Sequence, residues 1–166
     1  LPIWFVISGF QSLQALSPEQ CRPFDAARKG INLGECAAAI VLTSRPDELG
    51  VKARLRVTGG GLSNDANHIS GPSRTGEELA FAIRQAMEEA SLETTDIDFI
   101  SAHGTATPYN DEMESGAFTL AGLEQVTHPV KIIREVKSLP LEICLKTASG
   151  FGGCNAAIIL QKENTN

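Results

Sequence analysis

The chain has 166 residues, 42% of them apolar and 20% charged, with a formal net charge of −6. That length and balance suit one globular domain with its own core. The acidic balance argues against a nucleic-acid surface and gives no support to binding an anionic membrane, and no apolar run approaches the ~20 residues that span a bilayer.

In chain order, the apolar start LPIWFVISGF lacks the basic flank and cleavage site of a signal peptide and reads as a strand or core segment already under way. Ser17-Pro18 signals a turn or a helix start. Pro23, Asp25, Arg28, Lys29 and Gly30 make a charged surface loop. Cys36–Thr43 is apolar and β-branched and reads as a buried strand. Lys52–Thr58 alternates charged and apolar residues, as a strand with one wet face does, and the two runs are expected to form an antiparallel hairpin. Gly59-Gly60-Gly61 is expected to end the second strand. A polar loop containing Asp65 and His68 then runs to Gly76; long polar loops in compact domains are often functional, whereas a lone histidine in one reads first as a surface residue.

Helical spacing of Leu79, Ala82, Ile83, Ala86, Met87 and Ala90 predicts an amphipathic helix from Gly76-Glu77 onward, with Glu77 and Glu78 well placed at its N-terminus. Ile97, Phe99 and Ile100 anchor a strand that runs out at His103. Asn110 or Asp111 is expected to cap a further helix reaching about Leu120, with Gly122 as its stop. Helix, strand and helix in this order make an αβα unit of a layered fold. Residues 124–140 show no clean period. Leu145–Ser149 and Asn155–Leu160 flank the sequence SGFGGCN, and Ala156–Leu160 reads as a last buried strand. Gly150, Gly152 and Gly153 permit positive φ around Phe151. On chemistry alone that stretch is either a turn with a core anchor or a mobile loop.

Two features bear on chemistry. A buried strand that ends in a histidine sets the imidazole at the sheet edge, where ligands of α/β proteins sit, and histidine titrates nearest neutral pH. Spacing alone leaves His103 open between that role and a satisfied turn histidine. The four cysteines, Cys21, Cys36, Cys144 and Cys154, are far apart and in no CxxC pair, so neither a zinc site nor disulfides are expected, and small buried thiols are the default.

Taken together, CRPFDAARKGINLGECAAAIVL, ISAHGTATPYNDEMES and KTASGFGGCNAAIIL, with GFQSLQALS and GLSNDANHISGPS, resemble the C-terminal half of a β-ketoacyl-[acyl-carrier-protein] synthase, the elongating condensing enzyme of fatty-acid and polyketide synthesis. The resemblance implies an α/β, thiolase-like fold: a mixed five-stranded sheet with helices, half of an αβαβα stack. It implies decarboxylative condensation of an acyl thioester with a malonyl-carrier protein, in the cytoplasm. His103 then corresponds to the first of the family's two catalytic histidines, and Thr105 and Thr107 to the threonines that bind the phosphopantetheine arm. Phe151 corresponds to the gating phenylalanine, with Gly150, Gly152 and Gly153 letting its loop move. Asp65 and His68 match a loop near the substrate pocket. No resident cofactor is implied, because phosphopantetheine arrives on the carrier protein. The partners implied are the acyl carrier protein, the N-terminal half of the same enzyme, and a second subunit in a homodimer or heterodimer. Arg28 and Lys29 have a carrier-docking role open to them, though a solvated surface is the simpler reading.

The chain departs from the family in two ways. The segment that bears the lysine and the second histidine should follow Leu120, but LAGLEQ runs directly into VTHPVKIIREVKSLP. A segment is therefore expected to be missing near 124–128, either left out or deleted, and the second histidine is not carried onto His128. No cysteine here has the surroundings of a nucleophile, which belongs to the N-terminal half. A non-catalytic partner of the chain-length-factor type, and a thiolase-fold binding domain, stay open as alternatives.

Overall fold

A computed structural model of the protein describes residues 4–124 and 130–163. Its sheet has four strands: β1 (Leu55–Asn64), β2 (Phe99–Ser101), β3 (Ile143–Ser149) and β4 (Cys154–Lys162). Their order is β1-β4-β3-β2. β2 and β3 are parallel, and the β1–β4 and β3–β4 pairs are antiparallel, so the sheet is mixed. Among the described residues three α-helices accompany it: α1 (Trp4–Ser12), α2 (Glu77–Ala90) and α3 (Pro108–Leu120).

α2 follows its apolar period. Leu79, Ala80, Ala82, Ile83 and Ala86 are fully buried and Met87 nearly so, and the helix lies against β1, β4 and α3. Full burial of a side chain such as Leu79 or Ile83 is worth about 1.5–3 kcal/mol. The core continues through Met113, Ala117 and Phe118 of α3 to Leu145, Ala157 and Ile159 of the sheet. α3 starts one turn earlier than expected. Thr107, in extended conformation, precedes Pro108 at the first helical position, where the missing proline N–H costs nothing. Asn110 and Asp111 are therefore not caps; both are buried inside the helix. The helix stops as expected, at Gly122 with φ +80°.

The glycine run does not end β1. The strand passes through Gly59-Gly60-Gly61 to Asn64, after a bulge between Val57 and Gly59. The reason is close approach: a Cβ on Gly59 would strike the Ala86 carbonyl of α2, and one on Gly61 the Ala82 carbonyl. Gly61→Val is accordingly expected to lower stability by about 3 kcal/mol through overpacking. Gly60→Ala, whose Cβ meets only Glu89 Oε2 at 3.8 Å, should change little. Urea unfolding midpoints of the two variants check this; equal midpoints would contradict it.

Three other expectations are corrected. Residues 36–43 form no strand and no hairpin with β1, which pairs with β4 instead. Ile40, Val41 and Leu42 stand 84, 80 and 79% exposed. The other edge of β1 pairs with no strand among the described residues, and one of its amides, that of Gly60, donates instead to Glu89 of α2 (2.7 Å). The sheet thus has four strands among the described residues, not five. The wet and dry faces expected over 52–58 do not form either: Leu55 and Val57 are 59 and 50% exposed, and burial begins only at Gly59. The apolar start is a helix with no buried residue rather than a strand or core segment. Cys36 and Cys154 are exposed, Cys21 and Cys144 partly buried, and all four are free thiols. The expected junction at 124–128 falls almost wholly on residues outside those described.

Asp98 ties the entry of β2 to that of β3. Its carboxylate accepts from the backbone amides of Ile143 and Glu142, both at 2.9 Å. These two bonds, Ile143 first, hold its pKa below the ordinary aspartate value. A depressed folded-state pKa gives stability that is present above the unfolded pKa and lost as pH falls through the folded one. Asp98→Asn should therefore flatten the acid limb of stability against pH and leave the neutral-to-alkaline profile parallel to wild type. An unchanged acid limb would contradict it.

Candidate active site

The edge of the sheet where β2 and β3 end together carries the candidate residues. Ser101 pairs with Lys146 in parallel register, so the chain leaves β2 toward His103 beside the end of β3, which turns at Gly150–Gly153 into β4. Lys146 Nζ donates to the Ala102 carbonyl (3.0 Å), tying the two ends.

His103 is exposed, and no bond from its ring to a described residue is present. Its backbone is fixed instead. The carboxylate of Glu114, wholly buried, accepts from His103 N (2.8 Å) and Gly104 N (2.7 Å). The same carboxylate accepts from Thr147 Oγ1 of β3 (2.9 Å) and from Asn110 Nδ2 one helical turn back (3.1 Å). Glu114 thus joins loop, helix and sheet, and four donors satisfy a carboxylate that would otherwise be costly to bury. The side chain of His103 is left free at the rim of a cavity of about 860 Å³, walled by Phe24, Ile97, Phe99, Phe118, Leu123 and Ile132 among others.

Thr105 and Thr107 follow, half-buried, with their hydroxyls 2.8 Å apart. Two left-handed residues, Gly104 (φ +55°) and Ala106 (φ +59°), shape this stretch. A non-glycine residue in that region is disfavoured, and Ala106 is held there by Asp111. Asp111, 1% exposed, accepts from Ala106 N (3.1 Å) with one oxygen and from Phe24 N (2.7 Å) with the other.

The hairpin Gly150–Gly153 is built on the loop after β1. Gly150 N donates to the Cys154 carbonyl and Gly152 N to the Ile69 carbonyl, both at 2.8 Å. Asn64 Nδ2 donates to the Gly152 carbonyl (2.9 Å), and Asp65 N to that of Gly153 (2.9 Å). Gly152 and Gly153 have φ +84° and +81°, and a Cβ on Gly153 would strike the Asp65 carboxylate. Phe151 is 59% exposed, and its ring lies 6.1 Å from that of Phe10 on α1. Asp65 and His68 build their own loop. Asp65 accepts from Asn67 N and Ser73 N (3.0 and 2.8 Å), and His68 Nδ1 from Ser70 N and Gly71 N (3.2 and 3.1 Å). Those two donors make Nδ1 an acceptor, so in neutral His68 the proton lies on Nε2.

The structure therefore places His103, Thr105 and Thr107 in one loop, with the Phe151 hairpin at the same sheet edge. Asp65 and His68 stand behind that hairpin as its support. Sequence reasoning missed Glu114 and Asp111, and it read Arg28 as solvated surface. The Arg28 side chain is only 20% exposed and 3.8 Å from Asp111, whereas Lys29 does lie at the surface, paired with Glu19 at 2.6 Å.

Comparison with known proteins gives the family and the fold. The sequence profile of the β-ketoacyl synthase C-terminal domain matches residues 55–139. Nodulation protein E of Rhizobium meliloti is 41% identical over 117 residues, which are 69% of this chain and 29% of that protein. A 3-oxoacyl-[acyl-carrier-protein] synthase 2 of Staphylococcus aureus is 36% identical over 112 residues, 63% of this chain and 28% of that one. Among solved structures, the ishigamide ketosynthase/chain length factor superposes with a TM-score of 0.78 at 28% identity, over 97% of this chain and 51% of that one. A β-ketoacyl synthase from Burkholderia phymatum STM815 gives 0.78 at 21% identity and shows the fold alone. The fold is thiolase-like, and the chain corresponds to about half the length of those solved ketosynthases and matches under a third of the curated relatives. The chain belongs to the β-ketoacyl synthase family.

Proposed function

We propose that this chain is the C-terminal part of a 3-oxoacyl-[acyl-carrier-protein] synthase and supplies one wall of its active site. The observation that carries the reading is His103: exposed at the end of β2, its backbone fixed by Glu114 and its ring free, beside a pair of threonine hydroxyls. Loss of carbon dioxide from a malonyl thioester leaves an enolate. A neutral imidazole N–H aimed at the enolate oxygen stabilises the charge as it develops. The enolate carbon then attacks the acyl thioester held by a cysteine of the N-terminal part, expelling the thiolate and forming the β-ketoacyl product. Thr105 and Thr107 would hold the amides of the phosphopantetheine arm, and Phe151 would gate the nucleophile.

None of the four cysteines here suits the nucleophile's role. Cys144 is on a strand, and burial pushes its thiol pKa up, away from a reactive thiolate. The exposed run Ile40-Val41-Leu42 fits a chain that needs a further part to cover it. The complete protein would work in the cytoplasm with an acyl carrier protein, as a homodimer or heterodimer.

The test is transfer of a labelled acyl group from its carrier thioester to the complete protein, followed by condensation with malonyl-carrier. Covalent labelling and product formation are expected. Decarboxylation or condensation only when a second, cysteine-bearing subunit is added would assign the chain to a chain-length-factor-like partner. Neither labelling nor carrier binding would reduce it to a thiolase-fold binding domain.

A further inference from the structure

We propose that Arg28 is the positioning residue for the threonine pair, setting the reach of Thr105 and Thr107 toward the carrier's pantetheine arm; this rests on the condensing-enzyme reading above. The guanidinium comes from a loop some eighty residues away in sequence and takes hold of the backbone where the threonine loop becomes α3. Nε donates to the Thr107 carbonyl (3.3 Å) and Nη2 to the Pro108 carbonyl (2.7 Å). Nη1 returns to the carbonyl of Asp25 in its own loop (3.1 Å), which fixes the fork's orientation. The same guanidinium lies 3.8 Å from Asp111, the carboxylate that holds Ala106 N. From the other side, Gly30 N, two residues beyond Arg28, donates to the Ala106 carbonyl (2.9 Å).

Ala106, the residue between the two threonines, is thus gripped at both its amide and its carbonyl while in the left-handed region (φ +59°). That conformation brings Thr105 Oγ1 within 2.8 Å of Thr107 Oγ1, so the two hydroxyls work as one pair. A planar fork with donors in fixed directions is needed to reach two successive carbonyls, and lysine cannot supply it. Arg28 itself is partly covered, and each of its three nitrogens donates to a backbone carbonyl, two of them in the threonine loop and at the start of α3, so its work is on the loop.

The test uses the complete protein with malonyl-pantetheine thioester as substrate. Arg28→Gln should raise KM on the order of tenfold, the size of coupling within one hydrogen-bond network, while kcat stays within about twofold. Arg28→Lys should resemble Arg28→Gln, although it keeps the charge and the stem. In a cycle with Thr105→Val and Thr107→Val made together, adding Arg28→Gln should raise KM no further. Added guanidinium ion should partly restore KM in Arg28→Ala. Additive effects in the cycle, full function in Arg28→Lys, or loss of kcat and thermal stability without a change in KM would overturn the proposal. A wild-type complete protein that does not turn over malonyl-pantetheine would instead sink the condensing-enzyme reading itself, and the proposal with it.

Discussion

Replacing Glu114 by alanine is expected to destabilise the protein by on the order of 3 kcal/mol or more. The side chain is wholly buried and accepts four hydrogen bonds, two of them from backbone amides of the His103 loop. Alanine removes the acceptor and leaves the amides of His103 and Gly104, the Thr147 hydroxyl and the Asn110 amide without it. Each buried donor left unsatisfied costs about 1–3 kcal/mol, and relaxation toward solvent recovers part of the sum. Glu114→Gln should cost less, because it keeps the volume and one oxygen, yet its amide donates where donors already point. The damage should also be local: amide exchange at His103 and Gly104 should speed up more than in α2, whose core packing is untouched. A urea midpoint within error of wild type, or uniform exchange across the fold, would contradict the role given to Glu114.

The elements that could be read in the sequence are those whose signal is local. α2 announced itself through Leu79, Ala82, Ile83, Ala86 and Met87, all of them buried. β4 was visible as the apolar run Ala156–Leu160 after the glycine hairpin, whereas β3, which carries Lys146, Thr147 and Ser149, was placed only as the flank of that hairpin. The errors arose where a partner decides. Residues 36–43 have a strand's composition, but a strand forms only where a partner pairs with it, and β1 pairs with β4 instead, while residues 40–42 stay exposed. Gly59 and Gly61 looked like a break because glycine usually weakens a strand; here α2 comes so close that no other residue fits. The site divides the same way. His103, Thr105 and Thr107 stood out as a histidine and hydroxyls at a strand's end, whereas Glu114 and Asp111 passed as ordinary helix charges. One signal was present and unused: Glu114 lies in the stripe formed by Asn110, Met113, Ala117 and Ala121, where helical spacing calls for a buried residue. Arg28 gave no such sign, because its carbonyl partners are set by a contact about eighty residues distant.

His103→Ala is the second large effect expected and the most direct test of the central claim, that the end of β2 presents a hydrogen-bond donor to an enolate. Decarboxylation of malonyl-carrier protein by the complete protein, already acylated, isolates the step in which that charge develops. Loss of one such donor should lower kcat by roughly 10²–10³-fold, with KM little changed, because the bond strengthens only in the transition state. Folding should be unaffected, since it is the backbone amide of His103, not its ring, that Glu114 holds. A His103→Ala protein that decarboxylates malonyl-carrier at the wild-type rate, or that loses only substrate affinity, would contradict the account.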